Sequence, residues 1–401
     1  MKKKFVVLKP QYMNQFQCIG PSCPDTCCAG WKIDIDKRTY KNYRNIRNKD
    51  IANKVSEFVV RNKEESNDEK YAYIQAKEGA CGFLNNGLCD IQLNFGEDYL
   101  SKTCLTYPRV FNFVDERVEL SAKLSCPEIA RLALSNEKPM EFDLDEEVLD
   151  ARHHYSRALS TTSIWHNCFW EIRTFVIDLL QNRDFTVSER MILLGMFCEK
   201  LNSVVDSDDK SIILKVISDF KVRMHMSATK QQLNELPMVI HVQIKLLMEM
   251  IYFRQSNHAK FNEYSKQSNV AFSIETMDAK VVEECFVRGF EKYYKPFIEE
   301  HSYVLENFLV NQVFERLFLI GNHVNVLDDY ILLVILYSIV RFYIQGVATY
   351  NKQMSLDEAI SIIQTCAKVI EHSPAFLKNL SEHIKNSEFD TWALLMVLVK
   401  E

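Results

Sequence analysis

Residues 18–30 read Cys18-Ile-Gly-Pro-Ser-Cys23-Pro-Asp-Thr-Cys27-Cys28-Ala-Gly30, four sulfurs in a run that Gly20, Pro21, Pro24 and Gly30 keep out of regular helix and strand. Backbone of this kind lets several side chains turn toward one point and lets peptide N–H groups approach them. Four more cysteines follow, Cys81, Cys89, Cys104 and Cys126, so eight of the chain's 12 lie in its first 126 residues. Between two of them, Asn86-Gly87 predicts a tight turn that brings Cys81 and Cys89 side by side. Thiolates at this density are soft donors, suited to a metal ion or an iron–sulfur cluster.

Composition bounds the alternatives. A 401-residue chain with 47% hydrophobic and 25% charged residues is ordinary for a soluble globular protein with room for more than one domain. Residues 1–126 carry 20 Lys and Arg against 16 Asp and Glu, a net +4, which leaves −10 on the remainder of a chain whose total is −6. Nucleic acid is disfavoured, because phosphates demand a basic stripe. The first nine residues hold three lysines before the apolar run 5–8, too short for the core of a secretion signal, so a cytoplasmic protein with reduced thiols is expected. Residues 330–340 (YILLVILYSIV) form the most apolar run. They fall short of the roughly 20 residues a bilayer span needs, and they read as a buried core helix with no membrane insertion.

The expected fold is mainly α: a small, irregular, cysteine-rich α+β domain over 1–135, an acidic linker over 136–150, and an irregular α-helical bundle over 151–401. In the first domain Asp36 is placed to cap a helix over 37–60, and residues 109–124 alternate around Asp115-Glu116 as a β-hairpin. Pro127 after Cys126 is a favoured first helical position. Metal, more than a large apolar core, is expected to pin these loops. In the bundle, Ile172, Phe175, Val176, Leu179 and Leu180 have amphipathic spacing, and Thr186 with Glu189 and Ser355 with Glu358 give helix-start signals. The later cysteines, Cys168, Cys198, Cys285 and Cys366, sit on apolar helix faces and read as core residues.

The strings PQYMNQFQCIGPSCPDTCCAGWKIDID, CGFLNNGLCDIQ, YLSKTCLTYPR and SCPEIARLAL resemble the flagellin lysine N-methylases, the FliB family, which share this cysteine core with a broader group of zinc- or iron-chelating proteins. The likeness is dense over residues 10–135 and extends more weakly through DFTVSERMILLG, LENFLVNQVF and the run after Tyr330. It implies transfer of a methyl group from S-adenosylmethionine to lysine ε-amines of flagellin, with an iron–sulfur cluster, 4Fe-4S in type, bound by cysteines drawn from Cys18, Cys23, Cys27, Cys28, Cys81, Cys89, Cys104 and Cys126.

No G-x-G-x-x-G loop follows a strand, and Cys23-x3-Cys27 is followed by adjacent Cys28 instead of the C-x3-C-x2-C spacing of radical S-adenosylmethionine enzymes. The donor therefore has no site visible in the sequence. Methylation of lysine needs a neutral amine, so a base must take a proton from a group whose ordinary pKa is about 10.4. Asp34, Asp36, Tyr40 and Tyr107 lie near the cysteines and are the catalytic candidates, weighed against the roles of helix cap, turn residue or packed ring. Arg109 is a cofactor-binding candidate, pairing with the donor carboxylate or with an anionic cluster. Two other classes compete. Eight cysteines also fit two structural zinc sites in an interaction protein without activity, although the C-x2-C pairs typical of such sites are missing. Cys27-Cys28 as a vicinal redox pair would close a strained ring and leave six cysteines unexplained. His153, His154 and His166 are read as surface or core residues and not as an extension of a metal site.

Overall fold

The computed structural model describes residues 2–63, 67–150, 152–153, 155–158, 167–204, 209–252, 254, 256–319, 326–386 and 391–401. It divides into two compact units, Met1–Leu132 with Phe142–Ala158, and Ala133–Glu141 with Leu159–Glu401.

The first unit opens with β1 (Lys2–Pro10). β2 (Ile33–Ile35) follows the cysteine loop; then come helices Lys37–Arg44 and Lys49–Phe58, β3 (Val59–Arg61) and β4 (Ala72–Ile74). Four two-residue strands, β5 (Ala76–Lys77), β6 (Ala80–Cys81), β7 (Leu84–Asn85) and β8 (Leu88–Cys89), make two tight hairpins. β9 (Arg109–Val114), β10 (Arg117–Ala122), β11 (Phe142–Asp150) and β12 (Tyr155–Ala158) complete the strands.

A mixed five-stranded sheet runs in the order β11-β1-β10-β9-β12. The hairpin at Asp115-Glu116 forms as its alternation predicts, both turn residues taking positive φ, at 46° and 64°. Residues 136–150 are not a linker. Phe142–Asp150 is a full-length antiparallel partner of β1, from Lys2 opposite Asp150 to Pro10 opposite Phe142. The pairing sets a lysine-rich strand against an acid-rich one: Lys4 meets Glu146 at 2.5 Å, and buried Lys9 pairs with Glu147 and Asp145. Residues 133–141 pack with the helical unit.

The small sheet β2-β4-β3 and its two helices enclose an apolar core of Ile33, Ile35, Tyr43, Ile51, Val55 and Phe83 among others, with Cys81, Cys89 and Cys104 packed against it. This part of the chain therefore has a genuine core of its own, more than the sequence led us to expect. The expected helix over 37–60 is two helices. Asp36 caps the first through the Thr39 amide at 2.9 Å, Asn48 caps the second through the amides of Asp50 and Ile51, and the chain becomes strand at Val59.

The second unit is helical. At its centre runs Val326–Asn351, long and apolar enough to cross a bilayer, with its apolar stretch wholly buried inside the unit. Helix Ala259–Ala271 crosses it so closely that a Cβ on Gly346 would sit 2.2 Å from Ser268 Oγ. Thr186 and Glu189 form a full capping box, and Ser355 accepts the Glu358 amide. Cys168, Cys198, Cys285 and Cys366 are buried core residues, as their spacing predicts. Glu306, fully buried, accepts from Arg190 at 2.8 Å and Arg183 at 2.9 Å.

Candidate functional site

All 12 cysteines lie within the described residues and none is joined in a disulfide. In the first unit the loop 18–30 is fastened to the hairpins by backbone: Cys81 N–H donates to Cys28 O at 2.6 Å, Gly30 N–H to Gly79 O at 3.1 Å, and Ala29 bridges Ala80. Gly30 takes a φ of 87°, which a side chain would strain at this junction. Asn86 and Gly87 make the anticipated tight turn with φ of 48° and 77°, although the residue directly opposite Cys89 is Leu84 and not Cys81.

Four sulfurs share one field. Cys104 is enclosed beside Cys28, Cys81 and Cys89, and its thiol is pushed up to about 12, first by burial and then by those neighbours, while the Ser101 hydroxyl opposes the shift. Burial and the Cys28 and Cys89 sulfurs raise Cys81 to about 11, against N–H groups of Phe83 and Leu84 that favour its thiolate. Cys89 is raised too, chiefly by burial, and receives N–H groups of Gln92 and Ile91 at the start of helix Asp90–Phe95. These N–H···S contacts are the kind that orient and tune thiolate ligands. Tyr43, read from the sequence only as an apolar helix-face residue, is buried beside Cys104, Cys89 and Cys81.

Cys27 belongs partly to this group. Its thiol hydrogen-bonds Cys28, which with burial and the nearby Cys104 and Cys18 drives its pKa far upward. The two side chains are hydrogen-bonded neighbours and not a bridged pair. Cys126, raised to about 11 chiefly by burial, accepts N–H groups of Ile129 and Glu128 at the start of helix Pro127–Leu134 and has Cys23 and Cys18 as neighbours. Arg109 stands in the field of Cys18 and Cys126 with its guanidinium 5.0 Å from the Phe16 ring; burial lowers its pKa. It neighbours this second set of sulfurs.

Among the described residues no group of three or more His, Cys, Asp or Glu side chains is already set at metal-holding geometry. The chemistry of the donor set nonetheless suits a soft cation. Several partly buried thiols raise one another's pKa, and a cation would relieve that repulsion as the protons leave.

The proposed catalytic residues take different roles. Asp34 lies on β2; its backbone O accepts from Thr103 Oγ1 at 3.3 Å, next to Cys104, and its Oδ1 is buried without a hydrogen bond, 3.9 Å from Lys32 Nζ. Asp36 is a buried helix cap that also accepts from the Lys102 amide at 3.4 Å. Tyr40 packs edge-on against Tyr71. Tyr107 shares a hydrogen bond with Ser125 at 3.1 Å and lies 5.2 Å from the Trp31 ring, whose indole N–H donates to Cys27 O. His153 stacks on Phe111 at 4.4 Å between ring centres, while His154 and His166 fall outside the described residues. Sequence reading missed Ser101, whose place three residues before Cys104 is the N-cap signal that would have found it.

Comparison with known proteins places the chain in a family. Residues 173–398 match the model of the FliB lysine N-methylase C-terminal domain. Over 396 residues the chain is 20% identical to the lysine-N-methylase of Salmonella typhimurium, with 96% of each chain covered, and it has the same identity and coverage against that of Salmonella choleraesuis. It is 30% identical over 156 residues to the flagellar biosynthetic protein FliU of Salmonella muenchen, covering 39% of this chain and 91% of the relative. No solved structure matches. A family model spanning more than half the chain, with relatives aligned along nearly its whole length, identifies the protein as a member of the FliB lysine N-methylase family.

Proposed function

We propose that this protein transfers a methyl group from S-adenosylmethionine to lysine ε-amines of flagellin, with a 4Fe-4S cluster held by Cys28, Cys81, Cys89 and Cys104. The observation that carries the proposal is that Cys81, Cys89 and Cys104 pack against one core while the Cys81 amide ties the Cys28 backbone to it, in a chain of this family. When bound, iron in such a cluster supplies a Lewis-acidic, redox-active centre.

The chain's own residues account for the rest of the chemistry. Attack by the lysine nitrogen forms an N–C bond as the donor's C–S bond breaks, and the amine's proton must pass to a base. Asp34 is the best placed of the four candidates, because it alone has a carboxylate oxygen that is buried and free of hydrogen bonds. Asp36 is committed to its helix cap. The test is mass spectrometry of flagellin after anaerobic incubation with the protein and S-adenosylmethionine. A gain of one CH2 per event on lysine is expected, and its absence with iron and sulfide present rejects the reaction. Zinc without iron or sulfide rejects the cluster.

A further inference from the structure

A cleft of about 480 Å³ opens in the first unit against the helix that carries Cys104. Lys102 and Leu105 of that helix line it, so one short element borders the cleft and bears a sulfur of the shared group. The volume lies in the range of small-molecule sites. Its lining carries five cations, Lys37, Arg38, Lys41, Lys102 and Arg152, and four acids, Asp36, Asp68, Glu69 and Asp98.

Most of these charges are paired. Arg152 holds Asp150 at 2.8 Å and Asp98 at 3.1 Å, Lys102 holds Glu69 at 2.6 Å, and Lys37 holds Asp68 at 2.9 Å. The last two pairs are exposed, and pairs of that kind contribute little and open readily. Arg38 and Lys41 engage no carboxylate among the described residues and are exposed. A lone ammonium, such as the acceptor lysine, would meet a lining with a surplus of positive charge. A ligand carrying both signs would meet partners for each.

We propose that this cleft binds the α-amino-acid end of the methyl donor, its carboxylate on Arg38 and Lys41 and its ammonium among Asp68, Glu69 and Asp98. The inference rests on S-adenosylmethionine being the donor. It gives the donor a site where the sequence shows no nucleotide-binding loop, bordered by the helix that carries one sulfur of the proposed centre.

The experiment is hydrogen exchange of the full-length, anaerobically purified protein with and without saturating S-adenosylhomocysteine, together with calorimetric titration of the parent and an Arg38→Ala/Lys41→Ala variant. Both residues are exposed, so the variant should fold, and its unchanged melting temperature is checked first. Slowed exchange over 36–42 and 97–105 is expected, with binding weaker by roughly tenfold or more in the variant, as loss of charge-assisted contacts to a carboxylate implies. Binding that protects only other segments and leaves the variant's affinity unchanged overturns the cleft while the donor stands. Failure of S-adenosylhomocysteine to bind removes the donor reading and this inference together. Protection of the cleft by a flagellin peptide alone, with none from S-adenosylhomocysteine, makes it an acceptor site and also overturns the inference.

Discussion

The Cys81 amide donates to the Cys28 carbonyl at 2.6 Å, so two cysteines 53 positions apart along the chain are tied through main chain before any metal acts on them. Serine at Cys28, Cys81, Cys89 or Cys104 should keep this backbone link while removing a soft ligand. Each single variant is expected to lose most bound iron and acid-labile sulfide, measured on anaerobically purified protein. Cys285→Ala, in the helical core, should retain both. Retention of iron in all four serine variants would dissolve the proposed ligand set.

Asp34 and Asp36 should separate chemistry from capping. Asp34→Asn is expected to lower kcat by roughly 10²-fold or more with little change in stability, as removal of a general base does. Asp36→Ala should instead destabilise the first unit by about 1 kcal/mol, the usual effect of losing a cap, measured by urea unfolding. Equal activity of Asp34→Asn and the parent would remove Asp34 from the reaction.

His153 should make the first unit sensitive to acid. Burial first, and Arg109 second, lower its pKa below the ordinary 6.5. The folded state therefore binds this proton less tightly than the unfolded chain, so the contribution is present above about pH 6.5 and is lost as pH falls through the folded value. His153→Phe keeps a ring against Phe111 and removes the titration. Its urea midpoint should fall less than the parent's between about pH 7.5 and pH 5.5.

Glu306 tests the helical unit. Its side chain is 0% exposed and Arg190's is 2%. Glu306→Ala strands a buried guanidinium and should destabilise by about 3–5 kcal/mol. Arg183→Ala, at a side chain 41% exposed, should destabilise by less than about 1 kcal/mol. Thermal unfolding of the two variants checks the contrast.

Gly346→Ala should destabilise by about 1–3 kcal/mol through overpacking, since the new Cβ meets Ser268 Oγ at 2.2 Å and its Cβ at 2.5 Å. Ser268→Gly in the same chain removes both atoms and should recover part of the loss, whereas Ser268→Ala, which leaves the Cβ, should recover less. A double-mutant cycle measures this coupling.

What the sequence disclosed was local. Capping at Asp36, Thr186 and Ser355, the turns at Asn86-Gly87 and Asp115-Glu116, and the helical spacing around Ile172 all rest on neighbours within a few residues, and each formed. The helix expected over 37–60 is too long because the apolar spacing of Tyr40, Tyr43, Ile46 and Ile51 runs through Asn45 and Asn48, which end one helix and cap the next. The acidic stretch 136–150 reads as a linker because the complement of its residues 142–150, Lys2–Lys4 and Lys9, lies more than 130 residues away. A strand whose partner is that distant carries no signal in its own window. The sulfurs were legible as a group, but the sharing among Cys28, Cys81, Cys89 and Cys104 was not, because it depends on how three hairpin and loop segments fold back on one another.

The return of 142–158 to the first unit, after 133–141 have packed with the second, means the polypeptide passes between the two bodies more than once. Dissection at residue 135 would strip the sheet of both its outer strands, Phe142–Asp150 and Tyr155–Ala158, and leave Lys4 and Lys9 without counterions. Anyone expressing the cysteine-bearing half alone should carry it through residue 158 and keep or replace the short, largely irregular segment 133–141 that joins its two parts. A cut placed where the primary structure looks most like a hinge would yield an open-edged, self-associating fragment.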